Sequence, residues 1–293
     1  MNNIDKTILG TVQLGINYGI NNTIGMPDMK VSNDILSKAY LNGIRSLDTA
    51  EAYGCSQQVI GNYHLNHLSQ KFNVITKLSL DNQSIIDIKS NVENNCQILN
   101  IERLEGYLFH SFHEFVKYPN IYKDLLSLKE SGLINKIGVS IYTNEELDHI
   151  IKYTNIGLIQ LPVNVLDNYN IKGILLKQAK DKGCEIHVRS VYLQGLLLMD
   201  EDKIKPKLQP LIPYIRRLKE IAVNANILFE QLCLGYLFKI KEIDKILIGL
   251  ETVEQLEKNI ELIKSAELSN DLIDAVNEIT VTEKGLLHPS NWI

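Results

Sequence analysis

Short apolar runs, each closed by a polar residue and followed by a helical stretch, recur along this chain. Runs of that kind read as parallel strands buried on both faces, with the amphipathic stretches as crossovers. Strands are expected over residues 7–12, near Ser46, and over 74–76, 106–109, 136–140, 157–161, 185–189 and 245–249. Helical patterns fall over 32–42, with Ser32 as N-cap, and over 57–68, 84–99, 118–131, 144–152 and 171–182. The stretch 211–241 is long enough for two helices, the second starting near Ile227, and helices over 253–265 and 270–278 close the chain. Residues 15–25, rich in Asn and Gly, read as an irregular loop.

Eight strands joined by helical crossovers predict an α/β fold, a (β/α)8 TIM barrel with an extra C-terminal helix, as one domain over residues 1–293. An open doubly wound sheet would carry G-x-G-x-x-G after its first strand, and LGTVQLG at 9–15 has the wrong spacing. Composition narrows the picture further. With 293 residues, 45% of them hydrophobic, the chain can fill one large core. A net charge of −5 and the lack of a basic cluster exclude a general nucleic-acid surface. Cys55, Cys96, Cys184 and Cys233 are scattered without metal-like spacing, as reduced thiols of a cytoplasmic protein would be. The N-terminus lacks the pattern of a signal peptide, and the longest apolar segment, 186–199, is too short and too polar to span a bilayer.

Four polar residues stand just past apolar runs: Asp48 and Tyr53 in LDTAEAYG, Lys77 in ITKL and His110 in LFHSF. A parallel barrel gathers its strand ends at one rim, where residues distant in sequence converge. A carboxylate, a phenol, an ammonium and an imidazole at one point make a proton-handling site, suited to a carbonyl that receives hydride at carbon and a proton at oxygen. Taken singly, each has a plainer reading: a packed aromatic for Tyr53, a helix cap for Asp48. His110 and His113 could form a metal pair, but no third ligand has fitting spacing, so no metal is expected. In the proton-handling reading, Lys77 lowers the pKa of Tyr53, Asp48 holds Lys77 charged, and His110 orients the substrate oxygen.

Asp-x-x-x-x-Tyr, then Lys, then His, each at a strand end, resembles the aldo-keto reductase superfamily, and the resemblance covers essentially the whole chain. It implies that Asp48, Tyr53, Lys77 and His110 are the catalytic set. It also implies a nicotinamide dinucleotide held by Gly10, Thr11, Asp48, Ser140, Gln160, Arg189, Gly249, Glu251, Gln255 and Asn259. Two positions depart from the family's habit. Ile141 follows Ser140 where Asn is common, and Arg189 stands where relatives place an aromatic ring against the nicotinamide. Arg189 either stacks on that ring through its planar guanidinium or forms a strand-end ion pair. Thr252 and Gln255 have capping-box spacing, which sets a helix N-terminus beside the expected phosphates. Family habit implies NADP(H), while Glu251, where relatives offer Ser, Lys or Arg to a 2′-phosphate, pulls toward NAD(H).

The substrate pocket is expected to involve Tyr18, Tyr53, His110, Phe112, Tyr192 and Trp292, with Trp292 either lining the pocket or anchoring the tail. Polar neighbours such as Asn21, Asn22 and His113 favour a small polar, sugar-derived aldehyde or ketone. VYLQGLLL is similar to the same segment in bacterial relatives linked to surface-polysaccharide sugars. Two functional readings follow: an NAD(P)H-dependent carbonyl reductase, or a cofactor-binding regulatory subunit like the reductase-fold beta subunits of potassium channels. No dimerisation stripe stands out, so a monomer or weak homo-oligomer is expected.

Overall fold

The structure, a computed structural model, describes residues 2–80, 87–153 and 155–292. Eight parallel strands close into a barrel in sequence order: β1 (Thr7–Gly10), β2 (Ser46–Asp48), β3 (Asn73–Leu78), β4 (Leu104–Phe109), β5 (Ile134–Ser140), β6 (Leu158–Pro162), β7 (Glu185–Arg189) and β8 (Lys245–Gly249). The closing pair is β1 with β8, in a register that sets Gly10 beside Gly249. Around the barrel run α1 (Met29–Leu41), α2 (Ser56–Asn66), α3 (Ile88–Leu99), α4 (Phe112–Lys117), α5 (Pro119–Glu130), α6 (Asn144–Ile150), α7 (Tyr169–Asp181), α8 (Ile212–Asn224), α9 (Phe229–Lys239) and α10 (Val253–Lys264). The additional C-terminal helix is α11 (Asn270–Asn277). This is the (β/α)8 barrel that the alternation of runs predicts.

Several boundaries differ from the periodicity for local reasons. The first strand stops at Gly10, because Val12–Leu14 turns into a short 3-10 helix. Helix α1 starts earlier than expected because Asp28, not Ser32, is its cap: the Asp28 side chain accepts from Val31 N, and Ser32 is buried inside the helix. Asp87 caps α3 by accepting from Lys89 N and Ser90 N; the expected start at Ser84 lies outside the described residues. Helix α4 is an addition, set by a reciprocal box in which the Ser111 side chain accepts from Glu114 N and Glu114 accepts from Ser111 N.

Two apolar layers hold the architecture. Ile8, Ile75, Leu108, Leu158 and Leu247 fill the barrel interior. A larger layer packs the outward strand faces against the helices, including Leu47, Tyr63, Phe109, Ile137, Ile186 and Leu232. Each fully buried aliphatic side chain there contributes about 1.5–3 kcal/mol. With the interior packed below, the polar residues at or near strand ends, Asp48, Lys77, Ser140, Gln160 and Arg189, are left at the C-terminal rim. Among the described residues no single helix is long and apolar enough to cross a membrane.

Candidate active site

Register brings the rim together. Gly10 pairs with Asp48, Asp48 with Ile75, Lys77 with Leu108, and Ser140 with Gln160. Asp48 and Lys77 therefore stand on neighbouring strands, and Lys77 Nζ donates to Asp48 Oδ1 at 2.5 Å and to Thr49 O at 3.0 Å. Both side chains are almost fully buried, 1% exposed for Lys77 and 4% for Asp48. The other carboxylate oxygen, Oδ2, accepts from Gln160 Nε2 at 2.7 Å, so Asp48 is engaged on both sides. Burial pushes the Lys77 ammonium toward losing its proton, and the Asp48 charge and hydrogen bond counter that pressure.

Tyr53 follows on the turn between β2 and α2, and that turn has no room to drift. A Cβ on Gly15 would meet Tyr53 O at 1.8 Å, and one on Gly54 would meet Gly15 O at 2.3 Å. Gly54 also needs its φ of +54°, which a side chain disfavours. Beneath the turn, Glu51 accepts from Tyr107 Oη at 2.6 Å, Asn91 Nδ2 at 2.9 Å, Asn95 Nδ2 at 2.8 Å and Ser79 N at 2.9 Å. Thr11 Oγ1 donates to Asp48 O at 2.9 Å, which fastens the end of β1 to the same segment. Lys77 Nζ lies 5.1 Å from the centroid of the Tyr53 ring, and the His110 ring stands edge-on to it at 5.6 Å.

The direction of the Tyr53 shift corrects the expectation from charge types alone. Its pKa is pushed up, first by burial and then by the Asp48 carboxylate, with Arg189 partly opposing. Tyr53 is thus a firmly protonated phenol. His110 is lowered to about 3 by burial, then by the Lys77 and Arg189 charges, so its imidazole is neutral at physiological pH.

Two cavities meet over this cluster. One, of about 310 Å³, is lined by Gly10, Thr11, Asp48, Gly249, Glu251, Gln255 and Asn259 among others, and it runs past the N-terminus of α10. The second, of about 530 Å³, is lined by Lys77, His110, Ser140, Tyr142, Lys205 and the tail residues Pro289, Ser290 and Trp292. Tyr18, Tyr53, Gln160, Arg189 and Gln194 line both. Tyr18 Oη accepts from Gln194 Nε2 at 2.7 Å, which ties the first loop to the segment after β7.

Other residues fall as follows. Arg189, at the end of β7, has Cζ 4.2 Å from the centroid of the Tyr142 ring, and its Nη2 donates to Ile141 O at 3.2 Å. Among the described residues it forms no ion pair, so the strand-end salt bridge is not what the structure contains. At α10, Gln255 N donates to Thr252 Oγ1, but the Gln255 side chain accepts from Glu251 N at 2.7 Å, so the box closes one residue early. Tyr192 lines the first cavity, not the second, with its hydroxyl donating to Asn259 Oδ1 at 3.2 Å. Phe112 lines neither cavity; it lies on α4, edge-on to His149. Trp292 lines the second cavity and also anchors the tail, its Nε1 donating to Leu286 O at 2.8 Å. His113 is exposed on α4, and no group of three or more His, Cys, Asp or Glu that could hold a metal ion occurs among the described residues. Gln13, Tyr142, Lys205, Glu230 and Lys258 also line the cavities, and the strand-end pattern does not point to them.

A closed parallel barrel with an acid–base cluster and a long adjoining groove at its C-terminal rim defines the class. A sequence profile of the Aldo/keto reductase family matches residues 6–281, and the chain belongs to that family. It is 29% identical over 186 residues to D-arabinose 1-dehydrogenase of Saccharomyces cerevisiae, covering 53% of each chain. It is 27% identical over 185 residues to the aldo-keto reductase YhdN of Bacillus subtilis, covering 59% of this chain and 55% of that one. The match spans about half the length of both relatives. In fold it is similar to aldo-keto reductase AKR11C1 from Bacillus halodurans in its holo form, with TM-score 0.76, 17% identity, and 94% and 92% of the two chains covered. The glycerol dehydrogenase AKR11B4 from Gluconobacter oxydans superposes with TM-score 0.73 at 20% identity, covering 94% and 90%.

Proposed function

We propose that the protein is an NAD(P)(H)-dependent oxidoreductase that reduces an aldehyde or ketone to the alcohol, with Tyr53 as the proton donor. The observation that carries this reading is the junction itself: Tyr53 borders both the groove and the second cavity, with His110 edge-on at 5.6 Å and the Lys77–Asp48 pair behind. The groove fits a dinucleotide on two counts. Gln13 Oε1 is buried there without a hydrogen-bond partner. The paired glycines Gly10 and Gly249 both line the groove and place no side chain in it. The residues to hold such a group are Gly10, Thr11, Ser140, Gln160, Arg189, Gly249, Glu251, Gln255 and Asn259. When bound, a reduced nicotinamide supplies hydride to the carbonyl carbon.

The protein's part is acid catalysis and positioning. His110, neutral, orients the carbonyl oxygen by hydrogen bonding, and Tyr53 Oη gives its proton to that oxygen as negative charge develops there. Lys77 sets a positive charge behind the phenol, and Asp48 keeps that charge in place. A phenol held in its acid form suits the reducing direction. The polar lining by Tyr18, Ser140, Gln194 and Ser290 supports a small, hydroxylated, sugar-derived substrate. The sugar named in D-arabinose 1-dehydrogenase supports the same class.

Cofactor preference turns on the mouth of the groove. Lys258 lines it, but is tied to Glu230 at 2.6 Å, and Glu251 adds a second carboxylate. NADP(H) remains the reading, with Lys258 as the cation for a 2′-phosphate; NAD(H) escapes the repulsion from Glu251. Replacing Glu251 by Ser is expected to shift the ratio of the two dissociation constants toward NADP(H) about tenfold, equivalent to about 1.4 kcal/mol. Fluorescence titration with both cofactors measures it, and an unmoved ratio removes Glu251 from cofactor selection. The overall reading is tested by following NADPH and NADH oxidation against a panel of aldehydes, ketones and sugars. Turnover of at least one is expected; tight cofactor binding without turnover on any carbonyl favours a regulatory subunit instead.

A further inference from the structure

The second cavity has a one-sided charge balance. Three cationic side chains line it, Lys77, Arg189 and Lys205, and no Asp or Glu does among the described residues. Lys77 is paired where it stands, with the Asp48 carboxylate at 2.5 Å. The other two are not. The Arg189 guanidinium is fixed by the Tyr142 ring and the Ile141 carbonyl, with Nη1 3.5 Å from Ser190 Oγ. Those contacts set the plane of its fork without cancelling its charge, and leave further N–H donors for a ligand. The Lys205 side chain has neither an ion pair nor a hydrogen bond among the described residues, although its carbonyl accepts from Leu208 N at 2.9 Å. It precedes the short 3-10 segment Pro206–Leu211 and, with Ser290 and Trp292, contributes a cavity wall from outside the barrel strands.

Arg189 borders both cavities, so it can face a substrate as well as the cofactor, but a neutral hydroxylated substrate gives no reason for Lys205 to stand beside it over a cavity that no carboxylate lines. An anion does. We propose that the cavity takes a carbonyl substrate bearing an anionic group, a carboxylate or a phosphate, held by Lys205 and Arg189 while the carbonyl oxygen lies at Tyr53 and His110. This deepens the reductase reading and rests on it. A volume of about 530 Å³ accommodates a small sugar with such a group attached.

The test compares pairs that differ in one anionic group: 4-carboxybenzaldehyde against 4-methylbenzaldehyde for the carboxylate, and glyceraldehyde 3-phosphate against glyceraldehyde, neither of which closes to a furanose, for the phosphate. In the wild type, kcat/KM is expected to favour at least one anionic member by about tenfold or more, mainly through KM, with the preference shrinking at about 0.5 M salt. Whichever pair shows the larger ratio identifies the anion. Lys205→Met is expected to collapse that ratio toward one, and Lys205→Glu to invert it; Lys205 is exposed, so neither change threatens folding. A wild-type ratio at or below one for both pairs, or a ratio that Lys205→Met leaves in place, overturns the proposal. Calorimetry on the full chain keeps the two readings separable, with 4-(hydroxymethyl)benzoate set against 4-methylbenzyl alcohol. If no carbonyl is turned over, the reductase reading fails. Tighter binding of the acid that is lost in Lys205→Met then still supports an anion site, and equal binding overturns it.

Discussion

Tyr53→Phe is expected to lower kcat for every carbonyl by about 10²- to 10⁴-fold, the range associated with removing a general acid, while the cofactor still binds. The substitution deletes one oxygen and leaves the ring, so the turn held by Gly15 and Gly54 keeps its geometry. The wild-type pH profile sharpens the assignment. The phenol's pKa is pushed above its ordinary value of about 10 by burial and by Asp48, so the acid form is present throughout the neutral range. An alkaline fall from this group therefore belongs above pH of about 10. His110, lowered to about 3, contributes no break near its ordinary pKa of about 6.5. Steady-state rates from pH of about 5 to 9 are expected to be nearly flat for these two groups. A Phe variant that retains more than about a tenth of wild-type kcat would show that the proton comes from elsewhere.

Asp48→Ala is expected to cost about 3–5 kcal/mol of stability, because it strands a buried lysine with one backbone carbonyl for company. The chain relieves part of that cost by releasing the Lys77 proton, since burial already presses in that direction. The variant is expected to lose activity as well, because Gln160 also loses its partner. The double replacement Asp48→Ala with Lys77→Met removes both charges, and is expected to recover most of the stability but none of the activity. Urea unfolding of wild type, both single variants and the double variant gives the cycle. A sum of single effects equal to the double effect would mean the pair is not coupled, contrary to its 2.5 Å contact.

Strand placement was legible because a barrel strand buried on both faces leaves a continuous apolar run, and the rim is where polarity resumes. Asp48, Lys77, Ser140, Gln160 and Arg189 each sit at or near such an end, so topology alone brings them together. Helix ends were less legible, since periodicity is silent about which neighbour caps. Ser32 has the right chemistry, yet Asp28 reaches the free amide first. Helix α4 had a signal, the Ser111-x-x-Glu114 spacing, but only six residues to express it. The direction of the Tyr53 shift follows from its burial and from the nearby Asp48 carboxylate, and residue types alone carry neither. Lys205, Tyr142 and Glu230 reach the cavities from connecting segments and helix faces whose placement follows long-range packing. No repeat or run marks them.

The Lys77–Asp48–Gln160 chain spans strands β3, β2 and β6, and so crosses the mouth of the barrel instead of following its circumference. Its Asp48–Gln160 link acts as a spoke between β2 and β6, walls that share no ladder hydrogen bonds. Any loosening of β6 against β2 would pull on the carboxylate that keeps the lysine charged. The rim's chemistry and the barrel's closure are therefore one mechanical unit. A barrel sprung open at β6 would forfeit its charge arrangement before it lost its helices.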